Sequence, residues 1–318
     1  MSIVSKDIQK AVSILNNEDV VAIPTETVYG LAGNIYSEKA IRKIFEIKQR
    51  PLFNPLIVHV HSLESVQNLV SEFPEKARIL AKAFWPGSLT LVLKKKPDVP
   101  DLITAGKDTV AIRMPNHPVT LNLLKALAFP LAAPSANPFG CISPTSAGHV
   151  EGYFKDTIKM VLDGGDCKNG IESTIIGFED NQPVLYRLGS ISIEEITAVI
   201  GAIKIRNKKE IAPDAPGMLA RHYAPKTKTF LVKDVTSFVR DYSSKKIGVI
   251  RFTDAMLGSN VAHVEVLSKS GDLKEAASKL YSTLHKLDTL HLDMIVAEMF
   301  PDYGLGKSIN DRLFRATK

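Results

Sequence analysis

The sequence predicts an α/β protein in two parts: an N-terminal domain built on a twisted mixed sheet, and a smaller, doubly wound (Rossmann-like) C-terminal domain. Three observations carry this expectation. Short apolar runs of strand length alternate with segments of helical period over the first 200 residues. The rhythm breaks at 204–228, "KIRNKKEIAPDAPGMLARHYAPKTK", where Pro213, Pro216, Pro225 and a basic cluster leave little periodicity. It resumes at Thr229 and runs in βαβ order for about 90 residues. The expected division is a domain at 1–203, a linker at 204–228 and a small domain at 229–318. A length of 318 residues, more than one core usually serves, agrees.

In chain order, Ser5 is a candidate cap for a helix with Ile8, Ala11, Val12 and Leu15 on one face, and Val20–Ile23 reads as a buried strand. The loop "IPTETVYGLAGN" follows, and Ser37 opens a second helix that ends near Arg50, because a residue before proline is pushed out of helical geometry. Strands are expected at 56–60, 89–93, 109–113, 131–133, 159–162, 174–178 and 184–187, with helices at 75–84 and 119–127 among them. Some strand pairs lack an intervening helix, which is why the sheet is expected to be mixed. Beyond the linker, strands at 230–232, 246–250, 264–267 and 294–297 alternate with helices at 235–242, 273–287 and 309–316.

The composition, 45% hydrophobic and 23% charged, is that of an ordinary globular protein. No apolar run reaches the length of a membrane span and the start lacks a signal-peptide layout, so a cytoplasmic protein without membrane attachment is expected. Cys141 and Cys167 form neither a disulfide framework nor a zinc-ligand spacing and read as buried small residues. A net charge of +6 suits an anionic ligand.

Chemistry-bearing residues gather in five groups just outside strand ends: the opening loop with Thr25, Glu26, Thr27 and Tyr29; Lys48, Arg50 and Asn54, with His59 on the next strand; Thr109 and Arg113; Ser135, Asn137 and Ser143; and the "DGG", "GIEST" and Arg187 cluster. Such edges are where open α/β sheets hold ligands. Arg113 and Arg187 sit inside short apolar strands, where a buried guanidinium must find an anion or a carbonyl. The set is rich in cations and hydroxyls and short of carboxylates, which fits phosphate chemistry and excludes glycoside hydrolysis. "GLGKS" at 304–308 is no P-loop, because Pro301 stands where the motif needs glycine.

Taken in order, "PTETVYGL", Lys48-Gln-Arg50, "NPL" at 54–56, "WPGSLT" at 85–90, Arg113-Met-Pro115, "SAN" at 135–137 and "ST" at 173–174 resemble the YrdC-like family. "HYAP" at 222–225 and "GLGKSINDRLFRA" at 304–316 are similar to marks of its longer, two-domain form. The resemblance implies a YrdC-like catalytic domain at 1–203 and a nucleotidyltransferase that joins L-threonine, bicarbonate or CO2, and ATP into threonylcarbamoyl-AMP and pyrophosphate. A downstream transferase complex would pass the threonylcarbamoyl group to tRNA beside the anticodon. By the same carry-over, Thr27, His59, Arg113, Ala133 and Ser173 would hold threonine, and Arg50, Asn54, Thr109, Ser135, Ser143, Arg187, His222 and Tyr223 would hold ATP. Lys48, Arg50, Ser135 and Asn137 would form the catalytic set around the phosphates, and Mg2+ would accompany ATP without a set of protein side-chain ligands. The linker is a candidate lid. The alternative expectation is a double-stranded RNA or tRNA-binding module without synthase activity; weak tRNA binding also fits a synthase.

Overall fold

The computed structural model describes residues 2–206, 222–253 and 261–317. The first domain is built on a mixed sheet whose strands run, edge to edge, Val4–Ser5, Val161–Leu162, Val21–Ile23, Gly30–Asn34, Leu131–Ala132, Ile57–His59, Thr109–Arg113, Leu89–Lys94, Thr174–Glu179, Gln182–Arg187 and Lys204–Ile205. Successive residues of one strand feed opposite faces: Val20 and Ala22 enter one apolar cluster, Val21 and Ile23 another. Burial on both faces explains why these strands read as continuous apolar runs.

Two local expectations are corrected. Ser5 lies in the edge strand, and Asp7 caps the first helix, Ile8–Asn16, by accepting from the Lys10 amide. The opening loop does not lead to a helix: Val21–Ile23 pairs antiparallel with Gly30–Asn34, so residues 24–29 connect two neighbouring strands. All six are buried. Ser37 caps Glu38–Lys48 as expected, and the helix stops at Gln49 in left-handed geometry, one residue before Arg50. Cys167 is buried; Cys141 is only partly so.

The second domain carries a four-stranded parallel sheet in the order Thr229–Val232, Met294–Glu298, Ile247–Arg251, His263–Val266. Val235–Asp241 packs on one face through Val235 and Val239, while Leu273–Asp288 and Leu305–Ala316 cover the other. Asp272 caps the long helix through the Lys274 and Glu275 amides, and Ala276, Leu280, Leu284 and Leu287 then recur at three- and four-residue steps on the buried side. The "GLGKS" segment serves this packing. A Cβ on Gly306 would lie 1.9 Å from the Pro301 carbonyl oxygen, Ser308 donates to the Gly189 carbonyl at 2.8 Å, and Lys307 pairs with Glu194 at 3.0 Å.

The two domains meet along the helix Leu273–Asp288. At Gly170, φ is +69°, and a Cβ there would sit 2.3 Å from the Ser278 carbonyl oxygen. Nearby, His149 of the first domain and His285 of the second stack with ring centroids 3.9 Å apart. His285 donates Nε2–H to the Ser143 carbonyl at 3.2 Å, while His149 accepts the Thr145 amide at Nδ1. Accepting at Nδ1 keeps the His149 imidazole neutral. Burial, reinforced by the neighbouring His149, pushes His285 down to about 4, and burial also lowers His149 against the pull of Asp166.

Two outcomes follow from this interface. Gly170→Ala adds an unfavourable left-handed residue to a backbone overlap, so it should destabilise the protein by roughly 2 kcal/mol or more in denaturant titration. A histidine depressed in the folded state takes up protons on unfolding, so stability is full above the ordinary imidazole range and falls as pH drops from about 6.5 toward 4. Denaturation midpoints between pH 7 and 5 should decline, at most about 1.4 kcal/mol per pH unit per imidazole, and less steeply in His149→Gln/His285→Gln.

Candidate active site

The site forms where the strands Ile57–His59 and Thr109–Arg113 end side by side, with His59 in register with Arg113. The opening loop folds over that edge. Thr25 makes this geometry possible: its hydroxyl donates to the Val28 carbonyl at 2.6 Å and accepts the Thr27 and Val28 amides, so a buried loop keeps its polar backbone satisfied. Gly30 bridges to Ser135, bringing the 133–137 segment against the same edge.

One cavity results, lined by Thr25, Thr27, Arg50, His59, Arg113, Ala133, Ser135, Glu172, Ser173, Arg187, His222 and Tyr223, among others. Side chains from all five sequence groups thus contribute. Its two ends differ in charge. At one, Arg113 is held by Glu26 at 2.7 Å and donates to the Thr27 hydroxyl at 2.8 Å; Glu26 also accepts from Ser88 and from the Asn116 amide. The guanidinium is therefore fixed in place before any ligand arrives. His59 donates Nδ1–H to the Ile57 carbonyl at 3.2 Å, which leaves Nε2 as an acceptor. Burial, and then the charge of Arg113, pushes His59 down to about 3, so it is neutral at pH 7.

At the other end, positive charges lie close together. Arg50 donates to the Asn54 and Pro55 carbonyls, and burial together with the repulsion of Arg187 lowers it to about 9. Lys48 is lowered by burial and by Arg50. Arg187 donates to the Ser173 carbonyl and hydroxyl, each at 3.0 Å. Like charges packed this way are poised for an anion. Glu172, whose carboxylate takes up Ser143 at 2.6 Å, Tyr281 at 2.9 Å and Arg312 at 2.9 Å, is held at about 2: burial opposes ionisation, and Arg312 and then Arg187 overcome it.

Five of the expected residues stand behind the lining. Lys48 donates from Nζ to the Ser135 and Asn137 carbonyls, bracing that loop. Asn137 donates to the Pro138 and Cys141 carbonyls. Ser143 is bonded to Glu172. Asn54 is fully buried, and its side-chain amide has no hydrogen-bond partner among the described residues. Thr109 shares a strand face with Arg113 but stands about 13 Å up the strand. Of the opening loop, Thr25 and Thr27 reach the cavity; Tyr29 instead donates to the Gly165 carbonyl at 2.8 Å. Sequence reasoning missed Glu172, Tyr281 and Arg312, although "GIEST" and "RLFRA" contained two of them. It also read the site as short of carboxylates, whereas two are present, each bound to an arginine.

His222 and Tyr223 complete the wall. His222 meets Phe139 edge-on at 5.8 Å, and Tyr223 stacks on Tyr281 at 5.6 Å with the Arg312 guanidinium 5.0 Å from its ring centre. Burial lowers His222 to about 3. Tyr223 holds φ at +65°, an unfavourable geometry for a side-chain-bearing residue, and its hydroxyl and His222 Nδ1 are buried without partners. With these rings in place the cavity keeps about 50 Å³ of free space, room for a few waters.

Comparison with known proteins agrees with this architecture. The Sua5/YciO/YrdC family model, described as telomere recombination, matches residues 13–189, and the model for the threonylcarbamoyl-AMP synthase C-terminal domain matches 191–317. The chain is 42% identical to the threonylcarbamoyl-AMP synthase of Pyrococcus abyssi, over 98% of this chain and 94% of that one. Identity to the Bacillus subtilis threonylcarbamoyl-AMP synthase is 40%, over 97% and 92%. Its fold superimposes on the crystal structure of P. abyssi Sua5 complexed with L-threonine with a TM-score of 0.92 at 41% identity, covering 98% and 94% of the two chains. Matched in both halves, in order and over nearly its whole length, the chain belongs to the Sua5/YciO/YrdC family in the two-domain form of the threonylcarbamoyl-AMP synthases.

Proposed function

We infer that the chain is a nucleotidyltransferase that makes L-threonylcarbamoyl-AMP and pyrophosphate from L-threonine, bicarbonate or CO2, and ATP. One observation carries this reading: Arg50, Arg113, Ser135 and Arg187, drawn from 138 positions of sequence, line a single cavity with a fixed guanidinium at one end and crowded cations at the other. A threonine carboxylate suits Arg113, and its hydroxyl and amine suit Thr27, Ser173 and the acceptor nitrogen of His59. A triphosphate suits Arg50, Arg187 and Ser135, with Asn54 bonding the nucleotide.

The reaction needs little covalent help from the protein. Threonine's amine adds CO2, losing a proton, and a carbamate oxygen attacks the α-phosphorus while the bond to the β-phosphate oxygen breaks and pyrophosphate leaves. Neutral His59 can orient the amine by accepting its N–H at Nε2. Arg50 and Arg187 neutralise charge that builds on the departing pyrophosphate, and fixed cations do this without reorganisation cost. The residues fit Mg2+ as an ion carried on the triphosphate: both cavity carboxylates are held by arginines, so phosphate oxygens and water would be its ligands, and it would offset phosphate charge.

His222 and Tyr223 support a lid role for the linker. They line the cavity, where their rings would shield the labile mixed anhydride from water. Residues 207–221 of that linker lie outside the described residues. A double-stranded RNA module needs an exposed cationic groove, whereas these cations are buried in and behind a cavity wall. Delivery of the product to a tRNA-modifying transferase belongs to the same reading, and no helix among the described residues is long and apolar enough to cross a membrane.

The direct test is mass spectrometry of products from ATP, threonine and bicarbonate without RNA: threonylcarbamoyl-AMP is expected, and its absence, or AMP alone, rejects the reading. Two variants should separate the ends of the cavity. Arg50→Ala should lower kcat/KM for ATP about 10²-fold by removing a charge-assisted partner. Arg113→Lys, which loses the planar fork, should raise KM for threonine about tenfold and leave KM for ATP nearly unchanged.

A further inference from the structure

The cavity wall contains an ionised carboxylate where a polyanion is to bind. Glu172 is buried and lies beside Arg187, yet its direct partners are elsewhere: Ser143 and, from the second domain, Tyr281 and Arg312. Arg312 is 1% exposed. Besides Glu172 it binds Asp311 at 2.8 Å and the Leu188 carbonyl at 2.6 Å, next to Arg187 in sequence, and its guanidinium faces the Tyr223 ring. Tyr281 donates to Glu172 and stacks on that same ring. Two guanidiniums, Arg187 and Arg312, thus compete for one carboxylate, and Arg312 holds the direct contact.

We propose that Arg312 and Tyr281 are positioning residues contributed by the C-terminal domain to the nucleotide end of the cavity: by clamping Glu172 in the wall they keep its carboxylate off Arg187 and away from the phosphates, and they seat Tyr223. This rests on the assignment of that end to ATP. Without Arg312 the carboxylate turns to Arg187, removing one cation from phosphate binding and adding an unpaired negative charge beside the ligand. Glu172 is then an inhibitory group held in check by the second domain.

Calorimetric ATP binding, with no threonine present, tests this in Arg312→Met and in Glu172→Gln/Arg312→Met. The single variant should bind ATP about tenfold or more weakly, with threonine affinity within about twofold, and the double variant should recover most of the loss, because an amide neither captures Arg187 nor repels phosphate. Equal weakening of both ligands, or a double variant no better than the single, overturns the clamp and leaves Arg312 a scaffold residue. Should Arg312→Met fail to give a cooperative melt, Tyr281→Phe keeps the stacked ring and loses only the donor to Glu172. It should weaken ATP about threefold, again with rescue by Glu172→Gln; unchanged ATP affinity overturns the proposal. Wild-type protein that binds ATP yet forms no threonylcarbamoyl-AMP would overturn the functional reading alone, since the comparison needs only ATP binding.

Discussion

The structure depends on a balance of buried charge. Lys48, Arg50 and Arg187 are taken out of water within one small region, and the depression of Lys48 by burial and Arg50, and of Arg50 by burial and Arg187, records the cost. Burying cations costs several kcal/mol each unless partners are present. Backbone carbonyls supply part of that compensation: Ser135 and Asn137 for Lys48, Asn54 and Pro55 for Arg50, Ser173 for Arg187. Carbonyl dipoles stabilise a charge without cancelling it. The remainder of the field stays available to an anionic ligand, and the loops that present those carbonyls are fixed by the charges they serve.

The opposite end of the cavity follows a different rule. There Glu26 neutralises Arg113 in place, so the guanidinium acts through geometry more than through net charge. An amino acid brings one carboxylate and one amine, and a neutralised fork with neighbouring hydroxyls and a neutral imidazole matches such a dipolar guest. A nucleotide brings a concentrated negative charge, which suits the end where Lys48, Arg50 and Arg187 lie close together.

Much of this was legible in the chain. Period-two and period-3.6 patterns located most strands and the long helices, because sheet burial on both faces leaves continuous apolar runs. The short strand at Gly30–Asn34 escaped notice since its glycines and asparagine carry little strand propensity; it exists through pairing with Val21–Ile23. Ser5 and Asp7 are both capping residue types two positions apart, and only the backbone shows that Asp7 is the cap. Within the site, residues of unusual type for their setting, such as Arg113 and Arg187 in apolar strands, announced themselves. Glu172 did not, and neither did its partners, because the pairing spans 140 residues and two domains. Lys48 was recognisable as special, but its direction, toward the loop behind the cavity, could not be read from spacing.

The shared carboxylate also sets how far the molecule is modular. A boundary near residue 190 looks clean by sequence matching, with one family model ending at 189 and the next beginning at 191. Electrostatically the seam runs elsewhere, through Glu172 and Arg312, so each half carries a charge whose counterpart belongs to the other. A first half cut at the sequence boundary would keep a buried carboxylate whose arginine stayed with the other piece.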